Sequence, residues 1–198
     1  MLYIMRHGVT DWNIPKKLQG CHDIPLNETG RDAARRAGIL CQNVHFDLCF
    51  SSPMKRARET AELVLAGRDV PILFDDRLVE ISFGVAEGMR LAELEESSPA
   101  FILFHSPERY EGIPEGESFP EVFARVGSFL DGTLAPEIKM GKDVLIIAHG
   151  VVNNCITTLL HRRTLAQFWA QGIENCKLYS LPTDYFESPG KTDFLSGQ

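Results

Sequence analysis

Basic residues are in short supply in this sequence. Lys and Arg number 20 against 27 Asp and Glu, a formal net charge of −7. That deficit argues against a nucleic-acid or anionic-membrane surface, because the overall field would attract neither. It leaves room for a small anionic ligand, since a pocket can gather a few cations under a negative total. The five cysteines, at positions 21, 41, 49, 155 and 176, contain no CxxC pair. An odd count at such spacings reads as free thiols in a reducing compartment, and so as a cytoplasmic protein. The apolar stretch at the N-terminus is too short for a signal sequence or a membrane span. There is no internal repeat, no HxxxH spacing for a metal, and no G-x-S-x-G elbow around Ser51 and Ser52.

What is present is an alternation of short apolar runs with helical patterns, in a chain whose 198 residues suit one α/β domain. The runs Leu2–Met5, Phe46–Phe50, Ile72–Phe74, Val144–Ala148 and Leu178–Leu181 predict strands. Asn27–Cys41 predicts a helix with its arginines on the wet face. Ser52-Pro53 reads as an N-cap and first-turn proline, opening a helix through Ala66. Ser118 and Glu121 form a capping-box pattern ahead of an apolar stripe of Phe119, Val122, Phe123, Val126, Phe129 and Leu130. A last helix starts at Gly150, directly after a strand. Strands separated by helices predict a three-layer α/β/α fold with a mostly parallel central sheet. Residues 1–186 form the expected single domain. Within it, 97–117 breaks the rhythm and reads as a lid or side wall, and 187–198 has the composition of a flexible tail.

In such sheets ligands gather beyond the carboxyl ends of the strands. The first strand there runs out into Arg6, His7 and Gly8, and the strand Val144–Ala148 repeats the device with His149 and Gly150. A third strand ends in Ser51-Ser52, which the sequence assigns to helix capping, and Arg56 falls in the first turn of the next helix. Free N–H groups at that helix start would add to the attraction for an anion. Two arginines and two histidines on one rim suit a phosphate, because guanidinium forks match its oxygens. The rival readings are a metal held by His7 and His149, which the arginines would repel, and plain structural histidines.

The blocks RHGVTDWN, LQGCHDIPLNETG, SSPMKRARETA, LVEISFGVAEG and IIAHG, in this order between residues 2 and about 161, resemble the histidine phosphatase superfamily in its phosphoglycerate-mutase-like branch. Members of that branch include α-ribazole phosphatases and broad-specificity phosphatases. The resemblance implies a phosphohistidine mechanism with His7 as nucleophile. Arg6, Arg56 and His149 would hold the phosphoryl group, Glu80 would be the proton donor, and Asn13 and Gln19 would line the substrate pocket. No cofactor or metal is implied.

The implied chemistry is consistent with the residues. Phosphoryl transfer asks mainly for positioning and charge neutralisation, which arginines supply. The substrate class is a small-molecule phosphate monoester, and the chain could act as monomer or homodimer. A phosphoglycerate-type mutase would use the same residues, and a silent phosphate-binding module would need no positioned acid. Only 69 positions separate Glu80 from His149, shorter than expected of a mutase. Phe101, Phe104, Tyr110 and Phe119, in or beside the side-wall segment, hint at an apolar or ring-bearing leaving group, though core packing explains them equally. Glu87 reads as a turn or rim contact, Glu115 and Glu117 as solvated loop charges, and Trp12 and Trp169 as packing residues. His22, His45, His105 and His161 show no partner in the sequence and read as surface or satisfied histidines.

Overall fold

The computed structural model describes residues 1–187. Five strands, β1 (Leu2–Arg6), β2 (Leu48–Ser51), β3 (Ile72–Phe74), β4 (Val144–Ala148) and β5 (Leu178–Leu181), form one sheet in the order β3-β2-β4-β1-β5. The first four run parallel and β5 pairs antiparallel with β1 at one edge. The helices are α1 (Glu28–Leu40), α2 (Lys55–Val64), α3 (Pro99–His105), α4 (Phe119–Phe129), α5 (Ala135–Lys139) and α6 (Gly150–Leu160). No helix among the described residues is long and apolar enough to cross a membrane. The expected tail from residue 187 lies outside the described residues except for Glu187, which closes a final 3-10 turn.

The central strand β4 shows why the fold has three layers. All five of its residues are buried, and alternate side chains point to opposite faces. Val144, Ile146 and Ala148 join one core, with Phe119, Val122, Val126 and Phe129 of α4 and Val152 and Ile156 of α6. Leu145 and Ile147 join the other, with Ala34 and Ala37 of α1 and Ala57, Ala61 and Val64 of α2. Asn27 caps α1 by accepting from Gly30 N–H, and the capping box of Ser118 and Glu121 opens α4. Small residues facing the sheet on α1 and α2 let both helices sit close to it.

Two local expectations are corrected. Helix α2 starts at Lys55 with Met54 at its N-cap, and it ends at Val64 rather than Ala66. Ser52 does not cap it, because it lies two residues ahead of the N-cap; its hydroxyl meets the Met54 N–H at 3.4 Å and also faces His149, as described below. The Lys55 N–H is instead taken by the carboxylate of Asp23 at 2.7 Å, so the anion at this helix start belongs to the protein. Glu117 is likewise no solvated loop charge. It pairs with Arg125 at 2.8 Å and accepts from Ser82 N–H at 3.0 Å.

That pairing fastens part of the 97–117 segment to the loop that follows Glu80. Glu117 N–H donates to Ser82 O at 3.0 Å and Val85 N–H to Pro114 O at 3.2 Å. Gly84 sits in the left-handed region at φ 47°, where a Cβ would stand 2.1 Å from Pro114 O. Only glycine allows so close a seam. Ahead of it, α3 carries Leu103 into the core and Phe104 toward the carboxyl edge of the sheet.

Candidate active site

The strand register assembles the site. His7 N–H donates to Ala148 O at 3.0 Å, and Ser52 N–H to Ile147 O at 3.0 Å. Because β4 lies between β2 and β1, its first residue past the end, His149, stands between Ser52 and His7. Arg56 enters from the first turn of α2. Beyond these strand ends lies a cavity of about 120 Å³ whose walls include Arg6, His7, Asn13, Gln19, Arg56 and Glu80. Six of the seven residues singled out from the sequence therefore meet at one surface, and His149 lies behind it.

His7 is 2% exposed, and its Nδ1 lies 2.7 Å from Gly8 O. A carbonyl can only accept, so Nδ1 carries the ring proton and Nε2 keeps its lone pair in the neutral ring. The ring is thus fixed as the tautomer whose remaining nitrogen is a nucleophile. Gly8 is packed against the start of α1. A Cβ there would press on Gly30 O at 2.8 Å, so its smallness lets the start of α1 pack against the histidine loop.

Arg56 is fully buried and held on three sides. Its Nη1 donates to His22 O at 2.7 Å, its Nη2 to Gly20 O at 2.8 Å and its Nε to His149 Nδ1 at 3.2 Å. Three of five N–H groups are spent, which leaves two for an anion in the cavity. Accepting at Nδ1 obliges neutral His149 to carry its proton on Nε2, which donates to Ser52 Oγ at 2.8 Å. Both ring nitrogens of His149 are engaged, and its ring centroid is 5.1 Å from that of His7. In this arrangement His149 orients Arg56. Ser52 is the residue at this site that sequence reasoning missed: the signal was its position at the end of the strand beside His149, outweighed by the local Ser-Pro cap pattern.

Glu80 is 7% exposed and sits at the start of α6. Its carboxylate accepts from Ile81 N–H at 3.1 Å, Val151 N–H at 3.2 Å and Val152 N–H at 3.3 Å. Gly150 lies between it and Arg6, since a Cβ there would come 3.5 Å from Arg6 Cζ and from Glu80 Oε2. Asn13 and Gln19 are oriented by Thr10. Its N–H donates to Asn13 Oδ1 at 2.9 Å and its hydroxyl approaches Gln19 Oε1 at 3.0 Å. With their oxygens used as acceptors, the two amides present N–H donors to the cavity. Glu87 ties the rim together by accepting from Cys21 N–H at 2.9 Å and Phe83 N–H at 3.1 Å and by pairing with His22. His22 is therefore not partnerless, and neither is His45, which pairs with Asp47.

Burial holds both His7 and His149 well below the ordinary imidazole pKa, and Arg56 and Arg6 push the same way. Well above pH 6.5 the rings are neutral folded or unfolded and give stability no slope. Below it the unfolded chain binds protons that the folded one refuses, so stability falls as pH drops toward the folded pKa values. We expect thermal unfolding midpoints to decline between pH 6.5 and 5, with His7→Gln flattening that decline. Each histidine contributes up to about 1.4 kcal/mol per pH unit. An unchanged slope in the variant would contradict the buried neutral ring.

Removing the Ser52 hydroxyl leaves the His149 Nε2–H unpaired in a site with no exposure. Ser52→Ala is expected to lose about 1–3 kcal/mol in denaturant unfolding. A loosened Arg56 should also lower kcat/KM on any phosphate ester. Wild-type stability together with wild-type kinetics would show that the bond to His149 carries nothing.

The sequence profile of the histidine phosphatase superfamily (branch 1) matches residues 2–187. The chain belongs to that superfamily. Its relatives in the superfamily carry names of both kinds, mutase and phosphatase. A 2,3-bisphosphoglycerate-dependent phosphoglycerate mutase of Cytophaga hutchinsonii is 35% identical over 99% of this chain and 91% of its own length. The uncharacterized phosphatase PhoE of Bacillus subtilis is 37% identical over 78% of this chain and 74% of its own. Among solved structures, YhfR of Bacillus stearothermophilus superimposes with a TM-score of 0.79 at 32% identity, covering 89% of this chain and 88% of that one. The fold is accordingly phosphoglycerate-mutase-like. The short interval between Glu80 and His149 no longer counts against a mutase, since a superfamily member with that name aligns along nearly the whole chain.

Proposed function

We propose that this protein hydrolyses small-molecule phosphate monoesters through a phosphohistidine on His7. The observation that carries the reading is the tautomer of His7, fixed by Gly8 O with Nε2 free in a cavity shared with Arg6 and Arg56. Nε2 attacks phosphorus, the P–O ester bond breaks, and Glu80, which takes up a proton from solvent when the phosphate dianion enters, gives it to the departing oxygen. Water then attacks the phosphohistidine, Glu80 takes a proton back, and the P–N bond breaks to release phosphate. Arg6, the two spare N–H groups of Arg56 and the amides of Asn13 and Gln19 hold the phosphoryl oxygens. His149 and Ser52 keep Arg56 aimed.

The mutase reading is supported by the name of the Cytophaga relative. It is weakened by the supply of cations. A bisphosphorylated sugar acid brings two phosphates and a carboxylate, whereas beyond Arg6 and Arg56 the cavity wall adds, among the described residues, only Lys17. Phosphate release from a panel of monoesters, run beside interconversion of 3- and 2-phosphoglycerate, separates the two. Hydrolysis faster than interconversion is expected, and the reverse would replace this reading by the mutase. Turnover should also be unchanged by a chelator, because the proposed charge neutralisation rests on arginines. Loss on chelation and rescue by a divalent ion would overturn that part.

A further inference from the structure

The walls of the cavity away from His7 are of two kinds. One is aromatic. Phe83, Phe104 and Trp169 all line it, from three separate stretches of chain. Phe104 stacks on Trp169 with ring centroids 5.3 Å apart at 21°, and Phe83 lies 6.0 Å from Phe104. Trp169 is fixed by its indole N–H, which donates to Leu103 O at 2.9 Å. Both Phe104 and Trp169 remain part-exposed although each has the apolar bulk of a core residue. The pair packs on the core from one side and keeps another side toward the cavity, which offers a surface for a further flat apolar group.

The other wall carries Lys17. Its ammonium has no carboxylate within ion-pair distance among the described residues and lies 5.3 Å from the centroid of Trp12. On the wall of a cavity that also holds two arginines, such an ammonium is placed to meet an anion. Its backbone is also held firmly. Lys17 N–H donates to Trp12 O at 2.9 Å, Leu18 N–H to Met89 O at 2.9 Å and Leu91 N–H to Lys16 O at 3.0 Å. Lys16 meanwhile adopts φ 53°, a conformation costly for a residue with a side chain. The loop accepts strain in the turn that delivers Lys17.

Resting on the phosphatase reading, we infer that the substrate is the monophosphate of a ring-bearing alcohol carrying a second negative charge. The ring lies along Phe104 and Trp169 while its anionic substituent reaches Lys17. The phosphate itself remains with the arginines.

Benzyl and ethyl phosphate have similarly poor leaving groups, so their kcat/KM ratio reads recognition of the ring with little influence from chemistry. A ratio of about ten or more is expected for the wild type, from the apolar area a ring buries. It should fall toward one in Phe104→Leu and Trp169→Leu, which keep apolar volume. Comparing two substrates within each variant cancels any general loss of folded protein. A carboxybenzyl phosphate should exceed benzyl phosphate by roughly three- to fivefold at low salt, a preference that fades with added salt and is removed by Lys17→Gln. A wild-type ring ratio near one, or a high ratio untouched by either wall variant, would overturn the aromatic part. A carboxylate preference that survives Lys17→Gln would overturn the other. If no ester is turned over, the phosphatase reading fails on its own. Calorimetric binding of benzylphosphonate against methylphosphonate then decides the inference by the same ratios.

Discussion

Replacing His7 by Ala should remove turnover by at least about a thousandfold, the scale on which loss of an enzymic nucleophile is felt. The ring cannot be substituted from nearby. His149 is the other imidazole in reach, and both its nitrogens are committed to Arg56 and Ser52. The wild-type protein, mixed with a labelled substrate and denatured in alkali, should retain label that mild acid releases, as expected of a P–N bond. The Ala variant should retain none. Because His7 makes its ring hydrogen bond to its own neighbour's carbonyl, the variant loses no tie between distant elements. Unfolding measurements beside the assay keep a chemical loss distinct from a folding loss. Full activity in the variant, or stable label without His7, would remove the phosphohistidine.

The layers of this fold and the location of its site were legible because both follow from short-range pattern. Val144–Ala148 and Ile72–Phe74 are strands with the bounds their apolar runs suggest, and Ser118 with Glu121 makes its capping box. His7 and His149 could be placed on one rim because strand ends in a parallel sheet share an edge. What the pattern could not carry was partnership across the sheet. Ser52 reads locally as a cap, yet the helix opens with Met54 at its N-cap, and the Ser52 hydroxyl sits against the His149 N–H from 97 positions away. Glu117 reads as a loop acid until Arg125, one face along α4, comes into view beside it. Trp169 reads as packing, and it does pack, on Phe104. Only the three-dimensional arrangement shows that the stack also faces a cavity.

Glu80→Gln should separate the two half-reactions more sharply than any other change. On alkyl phosphates such as benzyl phosphate, the departing oxygen is strongly basic and needs a proton, so a loss of about 10²–10⁴-fold is expected. On 4-nitrophenyl phosphate the leaving group departs without help, and the first turnover should be close to wild type. Attack of water on the phosphohistidine still lacks its base, so nitrophenol should appear as a burst followed by a slow steady state. Gln adds a second effect that sets the size of the first. The carboxylate accepts N–H groups on both oxygens, from Val151 on one and from Ile81 and Val152 on the other. An amide can accept on one atom only, so its NH2 must face a backbone N–H at the start of α6. Some loss of stability is therefore expected, read by unfolding. Single-turnover rates at saturating substrate separate it from the chemical effect, because misfolded protein lowers burst amplitude and leaves the burst rate alone. Equal falls in the first-turnover rate on nitrophenyl and benzyl esters would show that Glu80 acts as a cap for α6 and not as a proton donor.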